Sequence, residues 1–288
     1  MEASLDQYEY LADSVKLAAY ESALGKCVQP GATVLDLGCG TGVLGLMALR
    51  AGAGKAYFID HGSVVEVARQ VVADAGFGDR AAFFEASSFE VTLPERVDIV
   101  VCDHVGYFGF DYGLLALFAD ARKRFLKPDG ILLPHSLDLY LAPVGSAQCR
   151  AHVSKWTDGS IPAEFAWLAE TAANTKHPVN LKPDDVLTDP AQIETLELGT
   201  EVSPFHSWTA EFTCSGDGEL DGVAGWFDAV LFDDVPMTNS PVAAQSLTRP
   251  QAFLPLEEPV AVAAGEKVNV TVMARPSDNV IGWVVELP

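Results

Sequence analysis

One stretch of the sequence collects several residue types that take part in catalysis. In "VVCDHVGYFGFDYG", residues 100–113, an apolar run is followed by Asp103, His104 and a second acid, Asp111, with Tyr112 beside it. Short apolar runs of this kind form buried strands, and residues just beyond the carboxyl end of a parallel strand tend to face a ligand. A carboxylate there can hold a nucleophile, and an imidazole can take its proton. This stretch is therefore a candidate catalytic loop.

A second stretch has the glycine spacing of a nucleotide-binding loop. "VLDLGCGTG", residues 34–42, places glycines at 38, 40 and 42 between a predicted strand and a predicted helix. Glycine lets the backbone come close to a ligand at a helix amino terminus. Asp60 ends the next predicted strand, where an acid can accept hydrogen bonds from both ribose hydroxyls. The loop and the acid together predict a nucleoside-containing cofactor, although Asp36 inside the loop could also be a purely structural acid.

The elements that must position these loops change character along the chain. A helix is predicted over residues 8–25, and the strands "ATVLDLG", "KAYFID", "AAFFEAS" and "VDIVVCD" then occur among helices, two of which end in glycine. Strands that alternate with helices indicate a parallel sheet. From about residue 196 the chain consists of strands separated by Gly, Pro, Asn and Asp turns, which is typical of an antiparallel sandwich or barrel. We therefore expect an α/β domain followed by an all-β domain.

Composition narrows the classes of function. The 288 residues carry a net charge of −22, which argues against nucleic acid and anionic membranes as partners, because both attract Lys and Arg. The charge favours a cationic substrate, although an acidic surface also simply keeps a protein soluble. No apolar run approaches a membrane span and the N-terminus does not resemble a secretory signal. The five cysteines lack the spacing of a metal site or disulfide framework, so we expect no metal and a cytoplasmic location.

The glycine loop resembles motif I of the class I methyltransferases, which bind S-adenosylmethionine (AdoMet). "LDLGCGTG" carries the resemblance, which implies that the loop packs on the methionine part of the cofactor and that Asp60 binds the ribose. A nicotinamide or FAD domain is the alternative, but such domains prefer the spacing GxGxxG.

Several segments together resemble the protein arginine methyltransferase family. They are "LADSVKLAAYESAL", the run from "VDIVVCDHVGYFGFDYG" to "ILLPHSLDLYLAPV", and the C-terminal strands. The resemblance covers about residues 8–287. It implies a Rossmann-like seven-stranded AdoMet-binding domain over residues 1–135 and an antiparallel β-barrel domain over residues 136–288. A dimerisation arm at about 156–194 implies a homodimer.

The resemblance also implies which residues bind the cofactor. Lys16 occupies the place of a family arginine that reaches the cofactor carboxylate, and Ser88 and Phe89 fall where an acid usually contacts the adenine amine. Tyr10 falls where aromatic residues fold over the cofactor, although helix packing would also explain it. The full predicted set is Tyr10, Lys16, Asp36, Gly38, Cys39, Gly40, Thr41, Gly42, Asp60, Ser88 and Phe89. Cys39 is interpreted as a small buried residue rather than a nucleophile.

The predicted catalytic loop departs from the family pattern. Two family glutamates clamp the substrate guanidinium, and here Asp103 stands at the first position and Tyr112 at the second, beside Asp111. A family Thr-His-Trp motif is replaced by Thr248 followed by Arg249 and a proline. A guanidinium prefers two carboxylates in fixed bidentate geometry, so one aspartate is expected to be a poorer clamp.

These departures shape the prediction of function. We expect an AdoMet-dependent N-methyltransferase acting on an amine or related nitrogen of a small molecule or peptide, as in natural-product or peptide tailoring, and not on ordinary protein arginine. Asp103 is expected to hold the nucleophile and His104 to act as base, with Asp111 and Tyr112 as further catalytic candidates. His104 could instead be a packing residue, and Asp111 and Tyr112 ordinary loop residues. The alternatives are an O-methyltransferase on the same fold and a cofactor-binding non-catalytic subunit.

Overall fold

The computed structural model describes residues 4–278 and 280–287, with side chains from residue 7 onward. The first half of the chain forms a parallel sheet with helices. Its elements, numbered in chain order, are α1 (Ser4–Ala12), α2 (Ser14–Cys27), β1 (Thr33–Leu37), α3 (Val43–Arg50), β2 (Lys55–Asp60), α4 (Val65–Asp74), β3 (Ala81–Glu85), β4 (Val97–Val101), α5 (Leu114–Arg124) and β5 (Leu126–Leu133).

The parallel sheet has the strand order β3-β2-β1-β4-β5. β1 and β4 are neighbours, with Val34 paired to Ile99 and Asp36 to Val101, and both strands are almost entirely buried. The strand order reverses between them, and a ligand crevice in such a sheet opens beyond the carboxyl ends of these two strands. The glycine loop follows β1 and the predicted catalytic loop follows β4, so the topology brings both to one crevice.

The sheet has five strands in the described residues, whereas the family resemblance implied seven. After β5 the chain leaves the parallel sheet at Leu133 and enters an antiparallel sheet at Ser136. This is where the sequence places the boundary between its two predicted domains.

The second half of the chain forms antiparallel sheets. Its elements are β6 (Ser136–Val144), α6 (Ala147–Ser154), α7 (Leu168–Ala173), β7 (His177–Val179), β8 (Ala191–Glu197), β9 (His206–Thr213), β10 (Gly218–Phe232), β11 (Val235–Thr238), β12 (Gln251–Val262), β13 (Lys267–Arg275) and β14 (Val280–Glu286). One sheet has the path β7-β12-β10-β6-β8 with β11 beside β10, and the other has the order β14-β13-β9. Inward residues alternate with outward ones along β13, as expected for a sheet with one buried face.

The predicted catalytic loop is anchored on the antiparallel strands. The rings of Phe108 and Phe110 are buried, and both pack against Trp208 of β9. A side chain at Gly225 of β10 would collide with the ring of Phe108. The loop therefore joins the end of β4 to the second half of the molecule through buried aromatic contacts.

The helix predicted over residues 8–25 is two helices in the structure. Asp13 lies between them, and its carboxylate accepts a hydrogen bond from the Lys16 backbone N–H at 3.1 Å. This is an amino-terminal cap, which satisfies a backbone donor that the helix itself leaves open. Among the described residues there is no helix long and apolar enough to cross a membrane.

Candidate functional site

The glycine loop and the catalytic loop line one cavity of about 510 Å³. Its wall includes Gly38 and Gly40 from the first loop, Asp60 from the end of β2, and Asp103 and His104 from the second loop. The structure thus brings together residues from three strand ends, as the parallel topology requires.

The glycine loop has a backbone that other residues adopt poorly. Gly38, Gly40 and Gly42 all have positive φ angles, of 70°, 51° and 77°, and side chains are strained in this region. A Cβ atom on Gly38 would lie 2.0 Å from Cε1 of His104. The glycine at position 38 therefore leaves the space that the imidazole occupies.

Asp36 supports the loop from below. Its carboxylate is buried and accepts a hydrogen bond of 2.7 Å from the backbone N–H of Gly45 in the first turn of α3. Burial raises the pKa of this carboxyl to about 8. Asp36 also borders the cavity. It therefore holds the start of α3 in place and lies beside the space for a ligand.

Cys39 and Thr41 complete the loop. Cys39 is buried, and burial raises the pKa of its thiol, so the thiolate is disfavoured. The hydroxyl of Thr41 is buried and has no hydrogen-bond partner among the residues that the structure describes. A buried polar atom of this kind is normally satisfied by a water or a ligand.

Asp60 is fixed by backbone groups on both sides. One carboxylate oxygen accepts from the Gly40 N–H and the other from the Gly62 N–H, each at 2.9 Å. A carboxylate oxygen has further acceptor capacity. The remaining capacity is available to hydroxyl donors in the cavity.

A second cavity, of about 340 Å³, adjoins the first. Its wall includes Ser88 and Phe89, and it shares Gly38, Asp60 and His104 with the larger cavity. Ser88 is buried whereas the Phe89 ring is 54% exposed. The two cavities form one crevice across the ends of β1, β2 and β4.

The crevice fits AdoMet on its own chemistry. It offers a loop whose glycines leave room for a close ligand and an acid with open acceptor capacity. The Asp60 carboxylate would hold the ribose hydroxyls, and the ring of Tyr10, which also borders the cavity, would cover the ligand.

Asp103 lies at the centre of a buried cluster of charges. Its side chain is 4% exposed, and one carboxylate oxygen accepts from Nη2 of Arg249 at 2.8 Å. The same oxygen is 3.6 Å from Nζ of Lys16, and the other accepts from the Tyr20 hydroxyl at 3.2 Å. The carboxylate that the sequence singles out therefore already holds a guanidinium.

Lys16 faces Asp103 and the ring of Tyr10, with its Nζ 3.0 Å from the ring centroid. It is buried on helix α2. Burial lowers the pKa of Lys16 to about 8, although the charge of Asp103 opposes this shift. Its predicted contact with a cofactor carboxylate stays a prediction.

His104 packs on the glycine loop. Its Nδ1 lies 3.2 Å from Sγ of Cys102, and it borders both cavities. Burial lowers the pKa of the imidazole below its usual range, against the effect of Asp103. The ring is therefore neutral at pH 7 and able to accept a proton.

Asp111 and Tyr112 occupy different environments. The Asp111 carboxylate accepts from the backbone N–H groups of Tyr107 and Phe108, at 2.8 and 2.6 Å, and also pairs with Lys176. These contacts close the loop and favour an organising role over direct contact with a substrate. Tyr112 is half exposed and borders both cavities.

The sequence did not predict that Tyr20 and Arg249 belong to the cluster. Tyr20 was not selected, although it lies four residues after Lys16 and such spacing places two side chains on one helix face. Arg249 was noted only as a replacement within a family motif, and no sequence signal pairs it with Asp103, 146 positions away.

Comparisons with known proteins cover both halves of the chain. Residues 34–130 match the family model of a methyltransferase domain, and residues 136–286 match that of the PRMT5 oligomerisation domain. Protein arginine N-methyltransferase 6 of Xenopus tropicalis is 31% identical over 286 residues, covering 94% of this chain and 83% of the relative. Arginine N(omega)-methyltransferase of Streptomyces achromogenes subsp. streptozoticus is 30% identical over 267 residues, covering 90% of this chain and 73% of the relative.

A solved structure supports the same architecture. The Trypanosoma brucei PRMT1 enzyme–prozyme heterotetrameric complex with AdoHcy contains a chain with a TM-score of 0.82 to this one. The identity is 22%, and the alignment covers 93% of this chain and 87% of that chain. The predicted combination of a Rossmann-like half and an antiparallel half is confirmed.

Proposed function

The chain belongs to the protein arginine N-methyltransferase family and is an AdoMet-dependent methyltransferase, and from that premise we propose that it methylates a guanidinium nitrogen of arginine in a protein or peptide. The sequence-based prediction that the acceptor is not ordinary protein arginine is wrong, because the relatives matched over most of the chain are arginine N-methyltransferases. The predicted small-molecule tailoring role depended on that prediction and is therefore not proposed.

One observation carries the proposal: Asp103 holds the guanidinium of Arg249 at 2.8 Å in the wall of the cofactor cavity. The prediction failed because it treated a single short acid as a poor guanidinium clamp. The Coulombic attraction between this carboxylate, which is 4% exposed, and a cation is stronger than that of an exposed carboxylate, since the surrounding dielectric constant is low. Tyr20 adds a hydrogen bond that orients the carboxylate. These contacts support Asp103 as the group that orients the acceptor.

Asp103 and His104 have different roles in methyl transfer. When bound, AdoMet supplies a methyl group on a sulfonium, and the bond from the guanidinium nitrogen to that methyl forms as the sulfur–carbon bond breaks. Asp103 orients the guanidinium, and alignment supplies much of the rate in such an in-line displacement. The nitrogen loses a proton, and we assign its acceptance to the neutral His104 ring.

We further propose a homodimer formed through the arm at about 156–194. The matched model of residues 136–286 is described as an oligomerisation domain. Within the arm, Phe165 is 51% exposed and Trp167 is 66% exposed. Large apolar side chains so exposed and so close together indicate a surface that another molecule covers.

We also retain two sequence-based proposals. The chain is divided near residue 135 into a cofactor-binding domain and an antiparallel domain. A cytoplasmic location is supported by the cysteines, all five of which are free and buried, as is usual in a reducing compartment.

The acceptor is tested with two matched peptides, one containing a single arginine and the other lysine at the same position. Each is incubated with the protein and AdoMet bearing a labelled methyl group. The proposal predicts methylarginine in the first peptide by tandem mass spectrometry and no label in the second. Label on a lysine, or on a carboxylate of either peptide, would overturn it.

A further inference from the structure

Building on the proposed function, we infer that Arg249 is a specificity-determining residue that competes with the acceptor arginine for Asp103. Its guanidinium occupies the one carboxylate that the proposal assigns to the substrate. An acceptor guanidinium therefore binds only when Arg249 releases that carboxylate, and this exchange sets the affinity for arginine substrates.

Arg249 is held at this position by its backbone neighbours. The N–H of Thr248 donates to the Asp13 carboxylate at 3.0 Å. The carbonyl of Pro250 accepts from the side-chain amide of Asn239 at 2.8 Å, and that of Arg249 accepts from Gln251 at 3.3 Å. Asn239 and Gln251 are buried. The backbone is thus fixed on both sides of Arg249, so its side chain is presented to Asp103 by the fold.

The charges near Asp103 require that an acceptor guanidinium replace Arg249 rather than bind beside it. Lys16 and Arg249 already place two cations on one buried carboxylate. Within the described part of the chain, the other hydrogen bond of the Arg249 side chain goes to a neutral acceptor, the carbonyl of Gly106 at 3.4 Å. A third cation on this shared carboxylate is unfavourable in a site that excludes water, so the acceptor must displace Arg249.

The free energy needed to release Arg249 from Asp103 weakens substrate binding. When only a fraction of molecules has the binding-competent arrangement, the apparent Kd is the intrinsic Kd divided by that fraction. If Arg249 is released in about one molecule in ten, removing its charge lowers the Kd for an arginine peptide about tenfold. The KM falls with it, whereas kcat changes little because Arg249 does not touch the bound acceptor.

The test compares Arg249→Gln with Arg249→Lys and with the natural protein. Binding of an arginine peptide is measured by calorimetry in the presence of AdoHcy, so that no turnover is needed. We expect Arg249→Gln to bind the peptide about tenfold more tightly, and Arg249→Lys, which keeps a cation on the acid, to bind as the natural protein does.

Arg150→Gln is the matched control. Arg150 also pairs with a buried aspartate, Asp221, with 3.0 Å between Nε and Oδ1, but it does not border the two cavities of the site. Its substitution is expected to leave peptide affinity unchanged.

Equal or weaker binding by a folded Arg249→Gln variant would overturn the inference. If that variant does not fold because Asp103 is left without its partner, Arg249→His restores the family residue and carries the same expectation. Failure of the proposed function gives a different result, since the natural protein and the variants would then make no methylarginine whatever their peptide affinity.

Discussion

Lys16 provides a pH-dependent test of cofactor binding. The side chain is buried between Asp103 and the ring of Tyr10, and burial lowers its pKa to about 8. We propose that its ammonium group holds the cofactor carboxylate, as the family resemblance implies. A carboxylate binds the charged form and not the neutral form, so affinity should be complete well below pH 8 and should fall as the pH rises through 8.

The size of the effect follows from the pKa. With a pKa near 8, about nine in ten Lys16 side chains are charged at pH 7 and about one in eleven at pH 9. Affinity for AdoHcy should therefore fall about tenfold between these pH values, which corresponds to about 1.4 kcal/mol. The substitution Lys16→Arg keeps its charge over the whole range, since an arginine is not deprotonated there.

The assay is calorimetric titration of both proteins with AdoHcy at pH 7 and pH 9. Any titration of the cofactor itself affects both proteins equally, so the difference between them reports Lys16. We expect the natural protein to lose about tenfold more affinity than Lys16→Arg. An equal loss in the two proteins would refute the assignment of Lys16 to the cofactor carboxylate.

Three further predictions address the glycine loop, the ribose contact and the arm. Gly38→Ala should abolish AdoHcy binding, because its Cβ would collide with the neighbouring imidazole. Gly31→Ala, at a position with similar φ but open space around it, should bind AdoHcy normally in the same titration. Equal binding by the two variants would contradict this prediction. Asp60→Ala should weaken AdoHcy binding by roughly 1–3 kcal/mol, the cost of unpaired buried hydroxyls, and an unchanged affinity would exclude the ribose contact. In sedimentation, Trp167→Ala should shift the protein from the mass of two chains towards the mass of one. Phe205→Ala, which removes an exposed ring outside the arm, should cause no such shift. A natural protein that sediments with the mass of one chain would refute the dimer.

The sequence predicted the elements that obey local rules. Apolar runs of five or six residues predicted β1, β2 and β4, because fully buried parallel strands are apolar on both faces. The glycine spacing predicted the loop before α3, where positive φ angles are needed. Asp60 was predicted from topology, because the carboxyl end of the strand next to β1 lies beside the glycine loop.

The remaining features depend on distant contacts. The break between α1 and α2 at Asp13 was missed, because the residues on both sides keep helical spacing and only the cap distinguishes them. The guanidinium of Arg249 reaches Asp103 through a loop whose backbone is fixed by Asn239 and Gln251. Spacing cannot predict which residues pair when they lie this far apart in sequence.

The central claim is that Asp103 orients an arginine guanidinium for methylation, and the most direct test compares the natural protein with Asp103→Asn on one arginine peptide. The amide keeps the shape of the side chain but loses its charge. Methylarginine formation is followed by tandem mass spectrometry in single-turnover reactions, with AdoHcy affinity measured in parallel. We predict a rate at least about a hundredfold lower in Asp103→Asn at saturating AdoMet, as expected for loss of a buried charged partner. Saturation is needed because the Asp103 charge also raises the pKa of Lys16, so AdoHcy affinity falls when that charge is removed. Equal rates in the two proteins, or no methylarginine from the natural protein, would contradict the claim.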